Sequence, residues 1–169
     1  RPSGVTFDRY GNAYVADSYN HTVRKITPGG VVSTMAGKAG FPGKADGIRE
    51  EARFYTPTDV AVDDNGNVFV TDYTNHLIRK ITPDGAVSTY AGDRINGSGS
   101  NDGSVSIAKF YWPAGMDIDS AGNLFIAETG NGIIRKITAN GMVSTIAGTA
   151  GTYARLQDGT GPAAIFDSP

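Results

Sequence analysis

The sequence predicts an all-β fold, a β-propeller, on three observations. The chain repeats itself about every 56 residues, and the copies open at Pro2, Pro57 and Pro113. Each copy holds short apolar segments between turns rich in glycine, which supplies 23 of the 169 residues. The central segment 68–70 is apolar at every position, so both faces of that strand are predicted to be buried. Sheets stacked around an axis bury both faces, and a fixed period of this length is typical of that arrangement.

Four antiparallel strands are predicted in each copy. In the first copy, residues 5–8 form the first strand, which ends at the turn Gly11-Asn12, where glycine supplies the positive φ of a tight hairpin. The next strands are residues 13–17, 22–27 and 31–35, and the other copies repeat them. We therefore divide residues 1–169, taken as a single half-propeller domain, into three four-stranded blades, at about 2–56, 57–112 and 113–168.

A polar loop closes each copy with a similar segment: ADG…ARF at 45–54, NDG…AKF at 101–110, and QDG…AIF at 157–166. The first two segments lead into the next blade. We expect the third to dock on the first blade of a second copy, with Ile165 and Phe166 near Pro2 and Val5. Propellers hold roughly four to eight blades, so two copies of three blades are predicted to close a six-bladed homodimeric ring. Because every copy has its own four strands, closure is predicted to come from face packing without a swapped strand.

Residues 17–26, DSYNHTVRKI, and residues 72–81, DYTNHLIRKI, resemble the NHL repeat. The third copy departs from this pattern, with Asn131-Gly132-Ile133 in place of Asn-His-Leu. The resemblance implies a six-bladed count, and the long DG…ARF segments resemble bacterial NHL proteins, which implies an extracellular or periplasmic origin. A chain cut so near the blade boundaries also fits an excised or engineered half-propeller.

The composition disfavours several partners. The formal charge is −2, from 15 basic and 17 acidic residues, which gives no basic stripe for nucleic acid. The absence of cysteine excludes disulfides and thiolate metal sites. No apolar run approaches the roughly 18 residues needed to span a bilayer, so no membrane partner is predicted.

Two histidines occupy the same position in neighbouring copies. They are His21 and His76, and Gly132 stands at that position in the third copy. A zinc or catalytic site would need further ligands to converge beside each histidine. We therefore interpret both as turn residues that serve their hairpins, and we predict no metal site.

An acid at the end of the second strand and an arginine on the third recur in every copy. The pairs are Asp17 with Arg24, Asp72 with Arg79, and Glu128 with Arg135. A buried arginine needs a partner because a lone buried charge costs several kcal/mol, so the pairs are predicted to be structural. The alternative is a ring of carboxylates around the central channel that holds a cation.

The loops at one end of the blades differ most between copies and carry the candidate binding residues. In a propeller, the turn after the second strand and the loop between blades open on the same face. Exposed tyrosine and tryptophan are typical of interfaces. The candidates are Tyr19, Tyr73, Tyr55, Asp59, Tyr111 and Trp112. The alternative for Tyr55, Tyr111 and Trp112 is packing of the long loop onto its own blade.

The sequence favours a non-enzymatic, self-assembling binding scaffold, since no Ser/His/Asp, Cys/His or converging carboxylate set stands out. The predicted partners are a second copy and a protein or small-molecule ligand, with no cofactor. A metal-assisted lyase or lactone hydrolase on the propeller axis is the alternative, because propeller enzymes assemble sites from scattered loops. RNA binding, which the NHL resemblance implies, is the third hypothesis, and the acidic balance disfavours it.

Overall fold

Three antiparallel sheets follow one another along the chain in the computed structural model, which describes residues 1–95, 97–152 and 156–169. The sheet of blade 1 has four strands in chain order. They are β1 (Val5–Phe7), β2 (Ala13–Asp17), β3 (Thr22–Ile26) and β4 (Val32–Gly37). Each strand pairs with the next in the chain, as predicted for an up-and-down blade.

The sheets of blades 2 and 3 have five strands, so the prediction of four is wrong for these two. Blade 2 contains β5 (Gly47–Ile48), β6 (Pro57–Val62), β7 (Val68–Asp72), β8 (Leu77–Ile81) and β9 (Ala86–Ala91). Blade 3 contains β10 (Gly103–Ser104), β11 (Pro113–Ile118), β12 (Leu124–Glu128), β13 (Ile133–Ile137) and β14 (Met142–Ala147). The extra strands β5 and β10 come from the loop after the preceding blade and pair with the outer strands β9 and β14. A two-residue strand formed only by a tertiary contact has no apolar pattern of its own.

The hairpins β1–β2, β6–β7 and β11–β12 are each closed by an aspartate. In blade 2, the Asp63 carboxylate accepts the backbone N–H groups of Asn65 and Asn67 and the side-chain amide of Asn67. Asp8 and Asp119 do the same in the other blades. An aspartate that bonds its own backbone in this way mimics a turn and fixes where each strand ends.

Two apolar cores lie between the sheets. One joins blades 1 and 2 through residues such as Tyr14, Val23 and Val70, and the other joins blades 2 and 3 through residues such as Phe69 and Ile126. Because neighbouring residues of β7 enter different cores, the predicted burial of both faces is confirmed in blade 2.

The helical segments of the described residues are single 3-10 turns, at Ser18–Asn20, Arg49–Glu51, Tyr73–Asn75 and Gly161–Ala163. None of them is long and apolar enough to cross a membrane.

Candidate binding face

The residue before the proline that opens a blade has a positive φ at three equivalent places. These residues are Thr56 (φ 55°), Trp112 (φ 50°) and Ser168 (φ 53°). A residue before proline is normally extended, and a positive φ costs a residue other than glycine about 1–3 kcal/mol. At two of the three junctions a histidine side chain holds the strained residue: Nδ1 of His21 accepts the Thr56 N–H (3.1 Å) and Nδ1 of His76 accepts the Trp112 N–H (3.2 Å).

These contacts give the histidines a role that the sequence interpretation missed. His21 and His76 do end the 3-10 turns after their second strands, both with φ near 60°, and Gly132 adopts the same conformation in blade 3. Their side chains, however, tether the start of the next blade. Because Nδ1 is the acceptor, the ring proton is on Nε2, and burial lowers the pKa of both imidazoles. A signal was present, since a histidine and a residue before proline recur at matching positions in the first two copies.

Four rings form a cluster at the junction of blades 2 and 3, which we call the aromatic cluster: Tyr73, His76, Tyr111 and Trp112. Trp112 stacks on Tyr111 (centroids 4.5 Å apart) and on Tyr73 (5.9 Å), while Tyr111 meets the His76 ring edge-on (5.3 Å). Trp112 remains 39% exposed. The structure therefore brings together three of the predicted binding residues, and their mutual packing leaves the tryptophan accessible.

The other two tyrosines lie at blade 1. Tyr55 meets the His21 ring edge-on at 5.6 Å and is partly exposed. Tyr19, in the first 3-10 turn, is 65% exposed, and the Arg1 guanidinium lies 5.9 Å from its ring centre. The Tyr55 carbonyl accepts the Thr74 N–H, which joins the loop between blades to the turn after the second strand. The two kinds of loop therefore meet at one end of the sheets, as expected for a propeller.

Asp59 lies on the inner strand of blade 2 and contacts both neighbouring blades. Its carboxylate accepts the N–H groups of Met116 in blade 3 (2.8 Å) and of Val60 (2.9 Å). A Cβ added to Gly4 in blade 1 would stand 2.1 Å from the Asp59 Oδ1 atom, so the carboxylate occupies space that only glycine leaves open. Burial raises the pKa of Asp59, although the two backbone hydrogen bonds lower it.

The acid–arginine pairs all form within one blade. Arg79 contacts Asp72 at 2.9 Å and Arg135 contacts Glu128 at 2.6 Å, with all four side chains fully buried. Arg24 and Asp17 are 3.7 Å apart, and the Arg24 side chain is 33% exposed. Burial raises the pKa of Asp72 to about 6, and it raises the pKa of Glu128, while the paired arginines lower both values.

Two clefts open at the opposite end of the sheets from the aromatic cluster. One of about 570 Å³ lies between blades 1 and 2 and is lined by residues such as Tyr14, Lys25 and Asn65. The other, about 610 Å³, lies between blades 2 and 3 and includes Phe69 and Tyr90. None of the six predicted binding residues lines either cleft. Within the described residues no group of three or more His, Asp or Glu side chains is placed to hold a metal ion.

The family model of the NHL repeat matches residues 1–26 and 54–81. The chain is an NHL-repeat protein. The first match covers β1–β3 and the second covers β6–β8, and each includes the tethering histidine. The resemblance stated from the sequence is thus confirmed.

This NHL-repeat chain is similar to proteins of different kinds. It is 33% identical over 138 residues to peptidyl-glycine alpha-amidating monooxygenase A of Xenopus laevis, which covers 79% of the chain but only 14% of that protein. A solved structure of a protein of unknown function from Bacteroides thetaiotaomicron aligns with 99% of the chain and 40% of its own length, at 25% identity and a TM-score of 0.79. An auxiliary nutrient binding protein from the same organism aligns with 72% of the chain and 33% of its own length, at 28% identity and a TM-score of 0.66.

Proposed function

We propose that this NHL-repeat chain is a non-enzymatic binding module that uses the aromatic cluster. The observation that carries the proposal is the packing of Trp112, which two stacked tyrosines hold in one orientation while much of its ring stays accessible. A rigid, exposed tryptophan is a typical centre of a binding interface, because little side-chain entropy is lost when a partner docks. The similarity to an auxiliary nutrient binding protein supports the same class of function.

Asp59 adds polar specificity to this surface. Its carboxylate is held by two backbone N–H groups on the inner strands, so it is fixed before a ligand arrives. Fixed polar groups beside an apolar surface select ligands by orientation as well as by area. The proposed ligand is a peptide or a small molecule with an apolar or ring-shaped part for Trp112.

The chain's single tryptophan provides a direct test of the binding proposal. A panel of peptides and oligosaccharides is titrated against the protein while Trp112 fluorescence is recorded. Ligands that shift the emission are expected to bind at least about tenfold more weakly to Tyr73→Ala, since a lost aromatic contact at an interface centre costs over 1 kcal/mol. Tyr10→Ala is the control, because Tyr10 is exposed at the opposite end and lines the first cleft. Ligands that depend on Tyr10 and ignore Tyr73 would place the binding site in the clefts.

We also propose that two copies of residues 1–169, each a half-propeller domain, close a ring of six blades. Blade 1 exposes apolar side chains that are covered in the other blades: Val5 is 56% exposed, while the equivalent Val60 and Met116 are 2% and 9% exposed. Soluble monomers rarely leave a large apolar surface exposed, so we expect a second copy to cover this face of blade 1. The contact is head-to-tail, which closes a ring when the rotation allows it. Light scattering on dilute protein is expected to give twice 17.7 kDa, and a folded monomer at micromolar concentration would contradict the ring.

A metal-assisted lyase is the second candidate, because the chain is similar to amidating enzymes, one of which is named a probable amidating lyase. Metal analysis of the purified protein, followed by turnover assays with and without added zinc and calcium, separates the two proposals. We expect no turnover that depends on Asp59. Activity that is lost in Asp59→Asn would support the enzyme instead.

A further inference from the structure

Arg79 of blade 2 holds the loop that arrives from blade 1. Besides its contact with Asp72, the guanidinium donates to the carbonyl oxygens of Ala45 (3.0 Å) and Arg53 (2.9 Å) and pairs with Asp46 at 2.6 Å. Arg135 of blade 3 holds the next loop in the same way. Its guanidinium donates to the carbonyl oxygens of Asn101 and Lys109 and pairs with the carboxylate of Asp102. We call each arginine with its paired acid the socket of its blade, and this socket binds the DG…F loop of the preceding blade.

Two further contacts hold the loop in this socket, one from the loop phenylalanine to the arginine and one from the loop backbone to the acid. The guanidinium of Arg79 lies 5.3 Å from the ring centre of Phe54, which is fully buried. The Asp72 carboxylate also accepts the backbone N–H of Tyr55 at 2.7 Å, directly after that phenylalanine. Blade 3 repeats both contacts with Phe110 and Tyr111.

The same loop adds a strand to the outer edge of the blade. Gly47 of β5 pairs with Val87 of β9, and Gly103 of β10 pairs with Val143 of β14. Val87 and Val143 are 4% and 2% exposed. In blade 1 the equivalent Val32 is 52% exposed, and among the described residues no strand pairs with the outer edge of β4.

Blade 1 therefore has an open socket, and the chain contains a third loop of matching form besides the two that fill blades 2 and 3. Residues 157–166 repeat the pattern of residues 101–110, with Asp158 at the position of Asp102. The Ile165 N–H donates to the Gln157 carbonyl at 2.9 Å, which closes this loop as the Lys109-to-Asn101 bond closes the one before it. Asp158 is exposed, and Phe166 is only partly buried.

We propose that residues 157–167 of one copy dock in the open socket on blade 1 of a second copy. By equivalence with the two filled sockets, Asp158 pairs with Arg24, and Gly159 lies beside Val32 at the edge of β4. Phe166 covers the Arg24 guanidinium, and the Asp17 carboxylate accepts the Asp167 N–H. The inference rests on the proposed ring and identifies its seam, which contains a two-residue strand addition as well as face packing. It also moves the predicted docking site of Phe166 from Val5 to Arg24.

The seam is tested in the full 169-residue chain by substitutions that spare the separate copy. Asp158→Asn and Val32→Lys change residues that are exposed in the single copy, so the thermal unfolding of protein diluted below the dimer dissociation constant is expected to stay unchanged. Both are expected to raise the dimer dissociation constant roughly thirtyfold or more, because truncating one partner of a desolvated charge pair or burying a lone charge is strongly unfavourable. The dissociation constant is measured by sedimentation equilibrium.

Matched controls connect the effect to the socket. Asp64→Asn alters an exposed acid in the turn between β6 and β7 of blade 2, which is not part of the proposed seam, and is expected to leave the dimer unchanged. Val87→Lys is the equivalent substitution in blade 2, where the loop is already bound and the valine is buried, and it is expected to unfold the chain itself. In a double-mutant cycle, Arg24→Met combined with Asp158→Asn is expected to weaken the dimer no more than either change alone.

The outcomes separate the seam from the ring. A dimer that is insensitive to Asp158→Asn and Val32→Lys overturns the seam and leaves the ring. Larger or open assemblies that Asp158→Asn disrupts support the seam and overturn the six-bladed ring. A folded monomer overturns both.

Discussion

Arg24 in blade 1 and Arg79 in blade 2 stand at the same position of the equivalent strands β3 and β8, each seven residues after an acid. The Arg79 side chain is fully buried and bound by two carboxylates, whereas the Arg24 side chain is 33% exposed and 3.7 Å from its acid. The difference comes from the loop of the preceding blade, which covers Arg79. One repeat therefore determines the environment of the charged residues in the next, and identical motifs differ in energy according to their neighbour.

The largest expected effect separates these two arginines. Arg79→Met leaves Asp72 buried without its cation, and we expect it to lower the free energy of unfolding by about 3–5 kcal/mol. In protein diluted below the dimer dissociation constant, Arg24→Met is expected to cost about 1 kcal/mol or less, since a solvated pair contributes little. Urea denaturation followed by Trp112 fluorescence measures both changes. Equal losses would show that the two blades do not differ in the way described.

A second comparison uses the glycines on either side of Asp59. A methyl group added by Gly4→Ala meets the Asp59 carboxylate and backbone at 2.1–2.6 Å, while the methyl group of Gly115→Ala has ordinary contacts at 3.7–4.0 Å. We expect Gly4→Ala to cost about 1–3 kcal/mol through overpacking, and Gly115→Ala to be nearly neutral. Thermal unfolding of the two variants tests this. If Gly4→Ala were as stable as Gly115→Ala, blade 1 would not approach Asp59 as closely as described.

The smallest expected effect concerns the histidine tether, present in blades 1 and 2 and replaced by glycine in blade 3. His76→Asn keeps a residue that tolerates positive φ but removes the acceptor, and we expect a loss of about 1 kcal/mol at pH 7.5. The folded-state pKa of His76 is below the unfolded value of about 6.5, so the tether's contribution is complete above that pH and declines as the pH falls below it. The difference in stability between wild type and variant should therefore shrink as the pH falls below about 6.5.

Urea denaturation of both proteins across this pH range measures the difference. Asp72, with a pKa raised to about 6, titrates in the same window with the opposite sign: its contribution to stability falls as pH rises through about 4 to 6. Because Asp72 is common to both proteins, its contribution cancels. Gly132→Asn is the control in blade 3, because it removes no titratable group, and its effect on stability is expected not to vary with pH. A difference that stayed constant with pH would contradict the Nδ1 acceptor.

The candidate binding face was only partly predictable. Tyr73, Tyr111 and Trp112 were grouped from their loops, and they do contact one another. The sequence could not indicate the stacking order or the contact of His76 with Trp112, because both depend on how closely two blades pack. The clefts beside Asn65 were also not predicted, since an interblade space has no sequence motif of its own.

The sequence by itself determined the repeat, the order of the main strands and the turns that end them, because short apolar segments, glycine and the aspartate of each hairpin act over a few residues. It also indicated the acid–arginine pairs, which a hairpin brings together within one blade. The tertiary structure alone decided the fifth strands, the histidine tethers and the burial of Arg79 beside an exposed Arg24. These features join residues of different blades, and their energies depend on desolvation and backbone pairing between sheets, which no local pattern specifies.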